Sequence, residues 1–365
     1  MIKIFMIGMS TDKGGVEAYI TNLCSCLDKR KYEITYCWPE MVIDGKRWIC
    51  PANRHNYIKY RAFWKKFYKE NRFDVLYMNT CDVVSIDQLK FAKAAGIPVR
   101  IIHSHSTANQ QEVGQKMSLF HRLSEKSSRA NLHRYATHLF ACSKSAGDWM
   151  FDGRDYKIIK NGISMGKYGF NPDSRNKIRK NHGIENEELI GIVGRLDPQK
   201  NPLFSVDIAE AIVSKNPNAK IVFIGDGELR SEVESKIAEM NIKENVILTG
   251  AVDNVNEWLS AIDCILMPSL FEGLPFALVE AQAAGLHCVV SSAVSDEANI
   301  TGLVEYLGLD ESTEKWAETA LSAAKKERVD NTRQLIDAGY SIAETAKAVS
   351  EIIENSLGKG LIHEK

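Results

Sequence analysis

Short apolar runs of strand character alternate along this chain with longer amphipathic stretches, and the alternation comes in two series. "KIFMIGM", "EITYCW", "DVLYMN", "VRIIH", "HLFAC" and "KIIKNGI" form the first; "ELIGIVG", "AKIVFIG", "NVILTG", "DCILMP" and "HCVVSS" form the second. Strands separated by helical patterns need right-handed crossovers, which build parallel sheets. The expected class is therefore α/β with two doubly wound sheets. At 365 residues the chain is long enough for two domains with separate cores.

The series meet in "KNGISMGKYGFNPDS", where Asn161-Gly162, Gly166, Gly169 and Pro172 cluster. This predicts a first domain over 1–165, a second over 166–340, and a C-terminal segment, 341–365, with helical periodicity and no strand after it. That last helix is free to pack back on the first domain.

Composition removes several function classes. With 46 basic and 47 acidic residues and a formal net charge of -1, the chain is not a generally basic nucleic-acid binder. Its eight cysteines form no CxxC pair, its opening "MIKIFMIGM" has no signal-peptide pattern, and no apolar run approaches the roughly 18 residues that span a bilayer. A cytoplasmic setting is expected. Cys24 and Cys26 have no second ligand pair at zinc spacing, and no metal is expected.

In doubly wound sheets ligands bind beyond the carboxyl ends of strands, so the loops after the apolar runs are where chemistry is sought. In "GMSTDKGGVEAYI", Gly14-Gly15 precedes a helix. It reads either as a phosphate contact or as a tight turn with no ligand. In "VGRLDPQKN", Arg195 and Lys200 make a receptor for a multiply charged phosphate, or else solvated surface charge. In "LFEGLPFALVEAQAAG", Glu272 is expected at a strand end, Pro275 in the first turn of a helix, and Glu280 about two turns deeper. The amides of Gly273 and Leu274 would face a phosphate there, with the two carboxylates accepting from sugar hydroxyls on either side. Otherwise Glu272 is a capping acid and Glu280 a paired structural residue.

"RIIHSHSTANQQEVGQK" places His103 and His105 on one face of a strand end. Both are candidates for the active site, His105 ahead of His103; a structural role and a metal site are the other readings. The loop from Ser104 to Lys116 is either an acceptor clamp or an ordinary connection. Finally, "YIKYRAFWKKFYKENRF", residues 57–73, sorts its aromatic residues to one side of a helix and Lys59, Arg61, Lys65, Lys66, Lys69 and Arg72 to the other. Such a helix rests on an anionic membrane or packs its aromatic face on the core, and the two are compatible.

Together "GGVE", "GRLDPQKN", "GDGELR" and "PSLFEGLPFALVEAQAAGLHCVVS" resemble the retaining glycosyltransferases of family 4, in order and over nearly the whole length. The similarity is greatest to enzymes of bacterial capsular and exopolysaccharide synthesis. The resemblance implies a GT-B fold, two Rossmann-like domains facing a central cleft, and transfer of a sugar from a UDP-sugar or GDP-sugar to a glycan or lipid-linked acceptor. By the same resemblance Arg195 and Lys200 hold the diphosphate, Glu272 with the Gly273 and Leu274 amides contacts the donor sugar, and Glu280 accepts from the ribose. Val252, in "TGAVDNV", faces the base, Gly15 approaches the phosphates from the first domain, and a histidine lies near the transferred sugar. No DxD motif occurs, in keeping with metal-independent transfer without a cofactor. Ser164 and His287 depart from the family pattern at positions without a chemical role. An epimerase or hydrolase on the same fold, or a non-catalytic GT-B partner protein, are the competing readings.

Overall fold

The computed structural model describes residues 1–10, 14–50, 56–105, 119–272 and 274–360. The chain forms two compact units, one from Met1 to Gly162 together with the segment that begins at Ile342, the other from Ile163 to Ser341. The strands are β1 (Ile2–Ile7), β2 (Tyr32–Tyr36), β3 (Glu40–Ile43), β4 (Lys46–Ile49), β5 (Val75–Thr80), β6 (Val99–Ser104), β7 (His138–Ala141) and β8 (Lys157–Ile158) in the first unit. In the second they are β9 (Leu189–Val193), β10 (Lys220–Ile224), β11 (Val246–Leu248), β12 (Cys264–Met267), β13 (His287–Ser291) and β14 (Val304–Leu307).

Each unit contains a six-stranded sheet, ordered β2-β1-β5-β6-β7-β8 in the first and β11-β10-β9-β12-β13-β14 in the second. All pairings within these two sheets are parallel. The second sheet shows why its strands read as continuous apolar runs. Cys264 and Leu266 of β12 join one core while Ile265 and Met267 join another, so alternate residues are buried on opposite faces.

Two strands of the first unit lie outside its main sheet. β3 and β4 form an antiparallel hairpin whose turn residues, Asp44 and Gly45, have φ of 47° and 74°. Those left-handed values are what a two-residue hairpin turn of the primed kind requires. Trp48 of β4 packs against Phe63 and Phe67 at ring-centroid distances of 6.0 and 5.1 Å, which fixes the hairpin on the helix Tyr57–Glu70.

That helix buries Trp64, Phe67 and Tyr68 around Phe5 of β1, so most of its aromatic side belongs to the core. Tyr57 remains exposed and the helix ends at Glu70, with Arg72 and Phe73 beyond it. Lys59, Arg61, Lys65, Lys66 and Lys69 face outward. The final helix, Ile342–Gly360, packs on the helix Gly15–Cys26 of the first unit. Tyr32 anchors it through the Ser350 hydroxyl at 2.6 Å and the Glu354 carboxylate at 3.0 Å.

The order of connection reverses at one place in each sheet, between β1 and β5 and between β9 and β12. At such a point the loops at the carboxyl ends diverge to opposite faces and leave a crevice. Gly15 and Asn79 belong to elements that adjoin the first of these places, and Arg195, Lys200, Glu272 and Glu280 to loops or elements that adjoin the second.

Candidate active site

In the second unit β9 runs into Gly194 and Arg195, and the "GDG" segment after β10 is pressed against them. A side-chain carbon on Gly225 would stand 1.9 Å from the Gly194 carbonyl oxygen, and one on Gly227 would stand 2.4 Å from that of Leu196. Glycine is needed there for backbone approach, which the Leu196 N–H to Asp226 carbonyl bond of 3.0 Å holds in place. Asp197 then accepts from the Lys200 N–H at 3.1 Å and starts a single turn, Pro198–Lys200.

This turn is tied to the loop after β12. The Leu270 N–H donates to the Gln199 carbonyl at 2.8 Å, Gln199 donates its amide to the Phe271 carbonyl at 3.2 Å, and Asn201 donates to the Pro268 carbonyl at 3.2 Å. The result is an ion pair between Lys200 and Glu272. Its side chains are 19 % and 9 % exposed, so the pair is largely shielded from water. Arg195 pairs with Asp197 at 2.9 Å and stays half exposed, with its guanidinium available to a ligand. A small cleft lined by Gly194, Arg195, Lys200, Met267 and Ser269 opens beside them.

Glu272 is not at the end of a strand. β12 stops at Met267, and Glu272 is reached by a loop that is held by a bridge to Val294 and by the Ser295 N–H donating to the Glu272 carbonyl at 3.2 Å. Nor is Pro275 within the helix: it is the residue before the first turn of Phe276–Ala283, a helix whose N-terminus has no side-chain cap. The fixed φ of proline suits either place, but the turn closes only from Phe276. Leu274 is half-buried next to this start, and Gly273 lies outside the described residues.

Glu280 is buried on the same helix and belongs to a separate set of contacts. Burial pushes its carboxyl up to about 7, against the opposing effects of a hydrogen bond from Tyr168 and the nearby Lys167 ammonium. Val252 is half-buried in the loop after β11, packed on the core that includes Tyr168.

In the first unit Gly15 is the exposed first residue of the helix Gly15–Cys26, with Gly14 as its N-cap. The histidines of β6 do share a face, with ring centroids 4.1 Å apart, but their surroundings differ. His103 is fully buried and its Nε2 is 3.1 Å from the Ile159 carbonyl, which can only accept, so Nε2 carries the proton. Nδ1 then accepts from Tyr77 at 3.1 Å, and Tyr77 in turn accepts from Tyr19 at 2.9 Å. Burial, followed by the neighbouring His105, drives the His103 pKa well down. His103 is a satisfied core residue.

His105 lies just past the end of β6 and is half-buried, with its ring between the side chains of Asn79 and Asn161. Burial pushes it down to about 3, opposed by the Asn161 contact, so it is neutral at pH 7. The loop beyond it, 106–118, with most of the proposed acceptor clamp, lies outside the described residues. Tyr168, Asn79 and Asn161 are the polar partners that sequence reasoning missed. Asn79 closes the apolar run "VLYMN", and such a polar strand end is a usable signal. Asn161 was read only as part of a turn, and nothing local marks Tyr168. Among the described residues no group of three or more His, Cys, Asp or Glu side chains is arranged to hold a metal ion.

Comparison with known proteins defines the class. A family model described as Glycosyltransferase Family 4 matches residues 13–167, and one described as Glycosyl transferases group 1 matches residues 174–342. The fold is shared with solved structures: Anabaena HepE in complex with UDP superposes with a TM-score of 0.75 at 17 % identity, covering 97 % of this chain and 100 % of that one, and a glycosyltransferase from Rickettsia africae ESF-5 with a TM-score of 0.69 at 13 % identity, covering 98 % of each. The chain thus belongs to the family 4 glycosyltransferases and has the GT-B fold. Among relatives by sequence, EpsF of Bacillus subtilis (strain 168), named as a glycosyltransferase, is 29 % identical over 95 % of both chains. The capsular polysaccharide biosynthesis glycosyltransferase CapH of Staphylococcus aureus is 24 % identical over 82 % of this chain and 84 % of its own. The UDP-Gal:alpha-D-GlcNAc-diphosphoundecaprenol alpha-1,3-galactosyltransferase of Escherichia coli is 27 % identical over 62 % of this chain and 60 % of its own.

Proposed function

We propose that this glycosyltransferase moves a sugar from a UDP-sugar to a glycan or lipid-linked acceptor in the synthesis of a cell-surface polysaccharide, with retention of anomeric configuration and without a metal. The observation that carries the reading is the shielded Lys200–Glu272 pair beside Arg195 at the crevice between β9 and β12. Departure of a nucleoside diphosphate builds negative charge on its phosphates while the anomeric carbon becomes oxocarbenium-like. Arg195 and Lys200 supply fixed positive charge to the first, and Glu272 supplies an acceptor for hydroxyls of the second. Glu280 takes the ribose hydroxyls, Val252 touches the base, and the Leu274 amide, just ahead of the uncapped helix N-terminus at Phe276, faces the phosphates. Names of relatives support the substrates: HepE is seen with UDP-glucose, and the Escherichia coli relative is named for a UDP-galactose donor and a diphosphoundecaprenol acceptor.

The test is calorimetric titration with a panel of UDP- and GDP-sugars. Selective binding of UDP-sugars is expected; preference for a GDP-sugar would replace the nucleotide assignment. Turnover without an acceptor would point to an epimerase or hydrolase, and absence of any binding to a non-catalytic partner.

A lipid-linked acceptor calls for contact with the membrane, at its cytoplasmic face. No helix among the described residues is long and apolar enough to cross one. The outward face of Tyr57–Glu70 supplies the cations, and Ile58, with Val42 and Ile49 of the adjoining hairpin, supplies apolar residues that are 82 %, 66 % and 65 % exposed. Each lysine near an anionic surface contributes about 1 kcal/mol. Replacing Lys65, Lys66 and Lys69 by glutamine is expected to weaken binding to phosphatidylglycerol vesicles about a hundredfold, with little change on phosphatidylcholine. Unchanged sedimentation with the anionic vesicles would discard the membrane contact.

A further inference from the structure

We propose that Asn79 and Asn161 are positioning residues that clamp the His105 ring from both sides and fix it as the neutral Nε2–H tautomer. The inference rests on the reading that His105 lies where the sugar is transferred. Asn79 ends the apolar part of β5, is 3 % exposed, and donates its Nδ2 to the Ile7 carbonyl at 3.1 Å. This directs its Oδ1 at the ring, 3.0 Å from His105 Nε2. An amide oxygen only accepts, so Nε2 holds the proton and Nδ1 keeps a lone pair.

Asn161 is 5 % exposed and its Oδ1 stands 3.0 Å from that second nitrogen. An amide oxygen cannot donate to a ring lone pair, and the oxygen and nitrogen ends of an amide are assigned from the network around them; with the proton held on Nε2 by Asn79, the Asn161 amide must turn to present Nδ2, since Oδ1 would pair only with a protonated Nδ1. The backbone beneath it is fixed, since the Ile159 N–H donates to the Ala141 carbonyl at 2.9 Å and the Ile159 carbonyl accepts from His103. Asn161 is therefore presented from a rigid support, the condition for one side chain to set the orientation of another. Among the described residues the ring also meets Tyr19, at a centroid distance of 4.8 Å, and His103; both are buried and uncharged at pH 7.

A histidine engaged at both nitrogens is not a free proton acceptor. It serves as a fixed neutral group, and the pH profile of transfer should contain no histidine step. Asn161→Ala is expected to lower kcat by about 10- to 100-fold, the size of effect typical for loss of a partner that orients a functional group. Its affinity for the nucleotide sugar should change far less than kcat, because Arg195, Lys200, Glu272 and Glu280 belong to the other unit. Asn79→Asp places a carboxylate beside Nε2, which raises the histidine pKa and should add a step to the kcat profile. Nitrogen NMR of the labelled imidazole should show the Nε2–H tautomer in the wild type. An Nδ1–H signature overturns the clamp, as would wild-type kcat and pH profile in both asparagine variants while His105→Ala is impaired. Wild-type turnover of His105→Ala would instead remove the underlying role of His105, and the clamp with it.

Discussion

Replacing Lys200 by alanine is expected to lower transfer by about 10²- to 10³-fold, the usual cost of deleting one group aimed at charge that develops in a transition state. The same order of loss is expected for Glu272→Ala. The two effects have one origin, because the structure joins these side chains in a single shielded pair. Before the donor arrives, Glu272 holds the Lys200 ammonium at the mouth of the crevice. In the proposed reaction an entering diphosphate would share the cation while the carboxylate turned to the hydroxyls of the sugar. Removing either partner also leaves a poorly solvated charge alone, at a cost of about 3–5 kcal/mol in stability.

Catalytic and stability losses are separable. The double variant Lys200→Met, Glu272→Gln contains no unpaired charge and should recover much of the melting temperature that the single alanine variants lose. It should not recover kcat/KM. Wild-type turnover in either single variant would remove these residues from the reaction, whereas activity that returns with stability in the double variant would reduce the pair to a structural role.

The alternation of apolar runs was sufficient for the fold because strands buried on both faces contain few polar interruptions, as "CILM" of β12 and "IVFI" of β10 show. The hairpin β3–β4 was missed although Asp44-Gly45 is a strong local signal; its strands, "EMVI" and "KRWI", bury only alternate residues and do not stand out as apolar runs. The site was legible one loop at a time. Residue type and position after a strand singled out Arg195, Lys200, Glu272 and His105, but the contact between Lys200 and Glu272 spans 72 residues. It depends on backbone bonds such as Leu270 N–H to the Gln199 carbonyl, which no periodicity encodes. The same limit applies to Asn79 and Asn161, which reach His105 from different strands and turns. It also applies to the two histidines, which period-2 alternation places on one face without distinguishing the locked core residue from the one at the edge.

Glu280→Gln should stabilise the unliganded protein at alkaline pH while weakening its hold on the donor. In the folded chain burial raises this carboxyl to about 7, well above its ordinary value of 4.5. The fold thus favours the protonated acid, so the stability associated with this group is complete below about pH 4.5 and is lost as pH rises through about 7. At about pH 8.5 the buried charge costs on the order of 3 kcal/mol. Glutamine keeps the shape and accepts from Tyr168 without charge, so its melting temperature should exceed that of the wild type by several degrees at pH 8.5 and by little at pH 5.

Donor binding should respond in the opposite sense. An ionised carboxylate accepts from both ribose hydroxyls, and hydrogen bonds to a charged group contribute about 1.5–3 kcal/mol, so the glutamine variant should bind the nucleotide about 10- to 100-fold more weakly at pH 8. The protonated acid accepts less well, and wild-type affinity should decline as pH falls below about 7 while the affinity of the variant changes little. Calorimetric titration across pH 5.5–8.5, paired with thermal melts, measures both effects. Donor affinity that is flat with pH in the wild type, or equal in the two proteins, would remove Glu280 from the donor site and leave it a buried acid held by Tyr168. A stability gain joined to a binding loss would mean that the cost of burying this carboxylate is retained because the ribose uses its charge.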